Sequence, residues 1–144
     1  VLRESDLTAG RWMALDIGTR RIGVALSDPL RIAARPLATI RRASLDDDLL
    51  QIASLVEKHE VERLVIGVPR RLDGSASEVT AMVESFIDHL TRRLQISVIP
   101  AEERLSSKEA EQLMAELEIP PSQRRARRDA FAAALILKWY LESQ

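Results

Sequence analysis

Acidic residues at three places in this sequence sit where a lone charge is costly or where a ligand is commonly held. Asp16 falls inside the short apolar run Trp12 to Ile17, flanked by Leu15 and Ile17. A carboxylate there costs several kcal/mol unless it is paired or bound to a cation. Glu102 and Glu103 follow directly after the run Ile96 to Ile99 and Pro100, at what should be the carboxyl edge of a sheet, where open α/β folds hold their ligands. One of the two is expected to face Asp16. Asp129 is expected at the amino end of the last helix, where a role as cap or dipole partner would explain it in isolation; its interest comes from the other acids. The chain has no cysteine, and His59 and His89 are its only imidazoles, so a bound metal would be held by oxygen. Carboxylates on a strand, a strand end and a helix start suit Mg²⁺ or Mn²⁺. Two such ions about 4 Å apart would clamp the attacking and leaving oxygens of a phosphodiester.

Phosphate needs positive partners. The net charge of -1 excludes a uniformly basic surface, yet 18 of the 21 basic residues are arginine. They cluster as Arg20-Arg21, Arg41-Arg42, Arg70-Arg71, Arg92-Arg93 and Arg124-Arg125-Ala126-Arg127-Arg128. A guanidinium fork donates bidentately to phosphate, although a compositional bias towards arginine would also produce such runs. Gly18 and Gly23 leave room for backbone to approach a phosphate, with Thr19 and Arg20 reaching from the turn; a plain glycine hairpin is the alternative. The segment Pro69 to Ser75 leads into a helix whose free amides could hold a phosphate, or is a simple turn closed by Asp73-Gly74. The chain has five aromatic residues, and Phe86, Phe131 and Tyr140 fall on apolar helical faces. Recognition through phosphate and shape is therefore expected over base stacking.

The elements that must position these residues follow from periodicity. Trp12 to Ile17 and Ile22 to Ser27 predict two strands joined by a hairpin-like turn, with a more polar third strand from Ala33 to Ile40. Ser44-Leu45-Asp46-Asp47 predicts a capped helix ending near His59, and Leu64 to Val68 a central strand covered on both faces. Val79, Met82, Val83, Phe86, Ile87, Leu90 and Leu94 recur at helical spacing before the strand Ile96 to Ile99. Ser106-Ser107-Lys108-Glu109 predicts another cap, Pro120-Pro121 a break followed by an arginine-rich loop, and Asp129 the start of the last helix. The order is three strands, helix, strand, helix, strand, helix, helix. One domain is expected across residues 1–144, with residues 1–10 as a flexible extension.

Four ordered segments carry a resemblance. They are Asp16-Ile17-Gly18-Thr19-Arg20-Arg21-Ile22-Gly23-Val24-Ala25 with Ser27-Asp28; Val65 to Pro69 with Asp73-Gly74-Ser75; Glu102-Glu103-Arg104-Leu105-Ser106-Ser107; and Asp129 with Ala132-Ala133 and Ile136-Leu137. Together they resemble the YqgF family, also called RuvX, described as Holliday junction resolvases and as nucleases that mature precursor 16S ribosomal RNA. The resemblance spans nearly the whole chain. It implies an α/β, ribonuclease H-like three-layer fold around a mixed five-stranded sheet. It assigns catalysis and metal ligation to Asp16, Glu103 and Asp129, favouring Glu103 over Glu102. Two departures keep the local charge: Glu102 stands where the family usually has Asp, and Arg124 to Arg128 where Lys and Gly are frequent.

The expectation is therefore an Mg²⁺- or Mn²⁺-dependent nuclease, probed at phosphate by Thr19, Arg20, Arg21, Arg70, Arg71, Arg104, Arg124, Arg125, Arg127 and Arg128. Its partner would be branched DNA or precursor ribosomal RNA, and symmetric cutting of a junction would imply a homodimer. The longest apolar stretch, Ala130 to Leu137, is far below the ~20 residues of a membrane span, and no charged-then-apolar signal opens the chain; a cytoplasmic location is expected. Two rivals share the features. Asp16-Ile17-Gly18-Thr19 also looks like the first phosphate motif of the actin and sugar-kinase superfamily, whose second domain 144 residues would not hold. A non-catalytic nucleic-acid-binding module is the other, against which the intact acidic set argues.

Overall fold

The computed structural model describes residues 10–71, 73–103 and 107–144. Its elements are β1 (Arg11–Ile17), β2 (Arg21–Ser27), β3 (Ala34–Arg41), α1 (Leu45–Lys58), β4 (Val61–Val68), α2 (Glu78–Arg93), β5 (Ser97–Glu102), α3 (Ser107–Glu116) and α4 (Pro121–Glu142). The strands form one sheet in the order β3-β2-β1-β4-β5. β1 pairs antiparallel with β2, and β2 with β3, while β1–β4 and β4–β5 are parallel. The sheet is thus mixed and five-stranded, as expected. Gly10 already belongs to the fold, because its N–H donates to Glu62 Oε2 at 2.7 Å; residues 1–9 of the expected extension lie outside the described residues.

Side-chain alternation along the strands divides the interior into two unlike halves. On one face Met13, Leu15, Ile22, Leu26 and Ile66 pack against Ile52, Phe86 and Leu90 of α1 and α2. On the other, Ala14, Ala25 and Val65 meet Ala133, Ala134, Ile136 and Leu137 of α4. Asp16 lies two residues beyond Ala14 and so takes the α4 face. The helices are anchored locally: Ser44 accepts the Asp47 N–H at the start of α1. Ser77 and Thr80 form a reciprocal capping box at the start of α2. Ser106, the expected cap of α3, lies outside the described residues.

The last helix corrects the expectation. Pro120-Pro121 does not precede a loop: Pro121 occupies the first turn of α4, where its fixed φ and missing N–H carry no penalty. The following arginines, good helix formers, continue the helix without a break. Asp129 is therefore eight residues past the helix start, beyond the reach of a capping role.

Small residues let α4 lie close to the sheet. A Cβ at Gly23 would overlap the backbone carbonyl of Asp129, and one at Gly67 would press on the Ile136 side chain. Gly23 is also the register partner of Asp16 across β1 and β2, so the point of closest approach is the point where the acids meet. Gly23→Ala should accordingly lower stability by an overpacking cost of about 1–3 kcal/mol or more. A thermal melt checks this, and a variant melting like the parent would show that the close approach is not required.

Candidate active site

Three of the sequence-selected acids converge at the carboxyl edge of the sheet. Asp16 sits one residue before the end of β1, and Glu103 one residue after the end of β5. The Glu103 N–H donates to Val68 O at 3.2 Å, which fixes the chain as it leaves the strand. The side chains of Asp16 and Glu103 are hydrogen-bonded to each other, and the Asp129 charge acts on Asp16. Glu102, on the opposite side of the alternation, is exposed. The choice of Glu103 over Glu102 thus has a geometric basis: Ala101 packs on the α4 side, and Glu103 shares its parity.

The electrostatics follow from burial. Desolvation pushes the Asp16 carboxyl up to about 6, with the Asp129 charge adding to the rise and the hydrogen bond with Glu103 opposing it. Desolvation likewise pushes Glu103 up to about 7, reinforced by the Asp16 charge and by the hydrogen bond to Asp16. Both directions describe a pair that keeps a proton between its two carboxyls and titrates as a unit. Asp129 is engaged on its outer side, accepting from Arg21 Nε at 2.7 Å. Among the described residues no three carboxylates or imidazoles are already gathered into a metal cage. The donor set nonetheless fits a hard cation: Mg²⁺ is commonly held by one or two carboxylates, with water and substrate phosphate completing its shell. Two partly buried acids competing for one proton are such a pair.

The turn after Asp16 is held from beneath. Arg42 donates Nη1 to Gly18 O and Nε to Asp48 Oδ2, both at 3.0 Å, and its backbone N–H to Arg20 O. Asp48 is 0% exposed, and its second oxygen accepts the Ala43 N–H. Arg42 also lies over the Phe86 ring. One arginine of the Arg41-Arg42 pair is therefore an internal strut, a role that the arginine-pair reading missed. Asp48, one turn into α1 in a run of three acids, was equally hidden, since nothing in Asp46-Asp47-Asp48 marks the one that turns inward.

The expected phosphate ligands scatter. Thr19, Arg20 and Arg21 are exposed on or beside the β1–β2 turn, but Arg21 is committed to Asp129. Arg70 pairs with Glu84 of α2 at 3.5 Å, and Arg71 anchors a turn through its N–H to Ser75 O, with Gly74 at φ 84. At the start of α2 the Thr80 N–H is taken by the Ser77 hydroxyl. Arg104 lies outside the described residues. Of the α4 arginines, Arg124 donates to Ile119 O, Arg127 stacks on Phe131, Arg128 approaches Glu111 at 3.8 Å, and Arg125 is exposed. Ser27 and Asp28 are structural: the Asp28 carboxylate accepts the N–H groups of Leu30, Ile32 and Ala33 to build the β2–β3 turn.

A sheet in this order, flanked by helices and carrying its acids at the carboxyl edge, defines the ribonuclease H-like class. The same fold is found in Thermus thermophilus RuvC, with a TM-score of 0.58 at 11% identity over 92% of this chain and 96% of that one. The fowlpox virus Holliday junction resolvase gives 0.58 at 13% identity over 93% and 99%. Residues 10–143 match the RuvX family, described as Holliday junction resolvase, and the chain belongs to that family. A relative from Roseiflexus sp. (strain RS-1), named "Putative pre-16S rRNA nuclease", is 44% identical over 135 residues, covering 94% of this chain and 96% of that protein.

Two outcomes follow from these environments. Raised folded-state values for Asp16 and Glu103 mean that, between about pH 4 and 7, the native state binds more protons than the unfolded chain. Their stabilising protonation is complete below the unfolded values and is lost as pH rises through about 6 and 7. In chelator, Asp16→Asn should therefore melt several degrees above the parent at pH 8, with the gap closing towards pH 4; a gap independent of pH would refute the shared proton. Asp48→Ala would leave the largely covered Arg42 without its carboxylate, which should cost up to about 3–5 kcal/mol in urea unfolding. A loss under 1 kcal/mol, of the order of a surface pair, would show that the strut is dispensable.

Proposed function

We propose that this chain is a divalent-metal-dependent nuclease that hydrolyses phosphodiester bonds in structured nucleic acid, with Asp16, Glu103 and Asp129 as its catalytic carboxylates. The observation that carries the reading is the partly buried, hydrogen-bonded pair of Asp16 in β1 and Glu103 just past the end of β5, within the field of Asp129. Burying like charges together is unfavourable for folding alone, and a cation relieves it. Asp16 and Glu103, with Asp129 beside Asp16, would hold Mg²⁺ or Mn²⁺. When bound, the metal supplies the positive charge that a phosphodiester displacement needs.

The protein's own groups do the rest. A cation held there would favour the ionised form of both carboxyls, so Asp16 and Glu103 would give up the proton between them to solvent. Arg21 holds Asp129 in place until substrate phosphate competes for the guanidinium. The Arg42 strut keeps the Gly18 to Arg21 turn in one position beside Asp16, so substrate meets a preformed edge. The identity to relatives named for precursor 16S ribosomal RNA favours that RNA as substrate. The family description favours a branched DNA junction, for which the chain would act as a symmetric homodimer. Either substrate would be met in the cytoplasm; no helix among the described residues is long and apolar enough to cross a membrane.

Purified protein with Mg²⁺ or Mn²⁺ should be tested against four-way junctions, linear duplex, single strands and precursor 16S RNA. Asp16→Asn and Glu103→Gln should abolish cleavage, by at least about a hundredfold, while binding persists or tightens because a repulsive charge is gone. Glu102→Gln should stay within a few-fold of the parent. Parental turnover by Asp16→Asn at saturating metal would reject the mechanism and bring the non-catalytic binding module forward.

A further inference from the structure

A groove of about 730 Å³ opens beside the β1–β2 turn, lined by Thr19, Arg20, Arg21, Arg41, Arg42 and Ala43. Four of these six residues are arginines, in a chain of net charge -1. Their charges are not equally answered. Arg21 is paired with Asp129 and Arg42 with Asp48. Arg20 and Arg41 are exposed and have no acidic partner among the described residues. Arg21 and Arg41 are register partners across β2 and β3, and like charges placed directly opposite each other destabilise a sheet. An anion between them removes that cost.

Position narrows the anion. As cross-strand partners, Arg21 and Arg41 share one face of the sheet, and Arg21 reaches Asp129 on that face. Arg41 therefore continues the line from the acids one strand spacing outward, about 5 Å, onto β3. β3 is the edge of the sheet, so the groove is open at the far side and admits a polymer. We propose that it binds the backbone phosphates of the nucleic-acid strand flanking the cleaved bond, with Arg41 as a phosphate contact and no reading of base sequence. The location rests on the nuclease reading above; the binding chemistry does not.

The test uses the whole chain in chelator, so that binding is read without cleavage. Labelled four-way DNA junction and a labelled precursor 16S RNA fragment are titrated across a salt series with the parent, Arg41→Gln, Arg41→Lys and Arg93→Gln. Arg93, at the end of α2, lies at the opposite edge of the sheet and serves as the charge control. Arg41→Gln should weaken binding by about three- to tenfold in low salt and reduce the salt slope by about one. Arg41→Lys should keep the slope, and Arg93→Gln should change neither. An effect on one probe alone identifies the strand type that uses the groove. Parental affinity and slope in Arg41→Gln with both probes would overturn the proposal, as would an equal loss in Arg93→Gln or an Arg41→Gln variant that melts below the parent. If the parent binds as expected but cuts nothing when metal is restored, the nuclease reading fails and the groove stands.

Discussion

The contact on which the site depends is the approach of α4 to β2 at Gly23. Helix and sheet layers with ordinary side chains between them stand about 10 Å apart, a separation that would leave Asp129 a distant neighbour of Asp16. Here the sheet presents Ala14, Gly23, Ala25 and Gly67 to Ala130, Ala133 and Ala134 of the helix, and the layers close. The opposite face is filled by Met13, Leu15, Ile22, Leu26 and Ile66 against α1 and α2. Large side chains there supply most of the apolar burial, at roughly 25 cal/mol per Å², and so release the α4 face from that duty. A single sheet thus has one face that stabilises and one that brings groups together.

What the close face brings together is unfavourable by itself. Asp16 and Glu103 are partly buried, and the fold answers the repulsion in two ways: a shared proton within the pair, and Arg21 against Asp129. Both answers are reversible. A proton held between two carboxyls can be given up to solvent, and a half-exposed arginine can exchange a carboxylate for another anion. A salt bridge buried on every side would have held the acids more firmly and made them useless to a ligand.

Much of this was legible in the residues. Asp16 announced itself as a charge inside an apolar strand and Glu102-Glu103 as acids at a strand's carboxyl end, the family resemblance choosing Glu103; Gly18 and Gly23 read as room for a phosphate, whereas Gly23 makes room for α4. The strand and helix order followed from periods of two and of three to four. Legibility failed where a residue type has two uses. The proline pair read as a stop, although Pro in the first turn starts a helix as readily as Pro after the last turn ends one; Asp129 was consequently placed at a helix start. The arginine pairs read as phosphate ligands, yet Arg42 turns inward to Asp48 while Arg41 turns out. Adjacent residues on a strand point oppositely, and only the packing of α1 and α2 shows which of the two is covered.

The inward turn of Arg42 also bears on why the acid edge is a fixed feature. A buried ion pair adds little net stability compared with well-packed apolar groups, because desolvation offsets the attraction. Its presence at Arg42 and Asp48 is better explained by direction than by energy. Apolar contacts hold a side chain by volume, whereas the guanidinium donates along set lines to Gly18 O and Asp48 Oδ2, and Asp48 reaches back to the Ala43 N–H. The turn after Asp16, the end of β3 and the first turns of α1 are thereby tied at a single point. Since β1 carries Asp16 and β3 carries Arg41, the same strut sets the acids and the basic groove relative to each other on one surface.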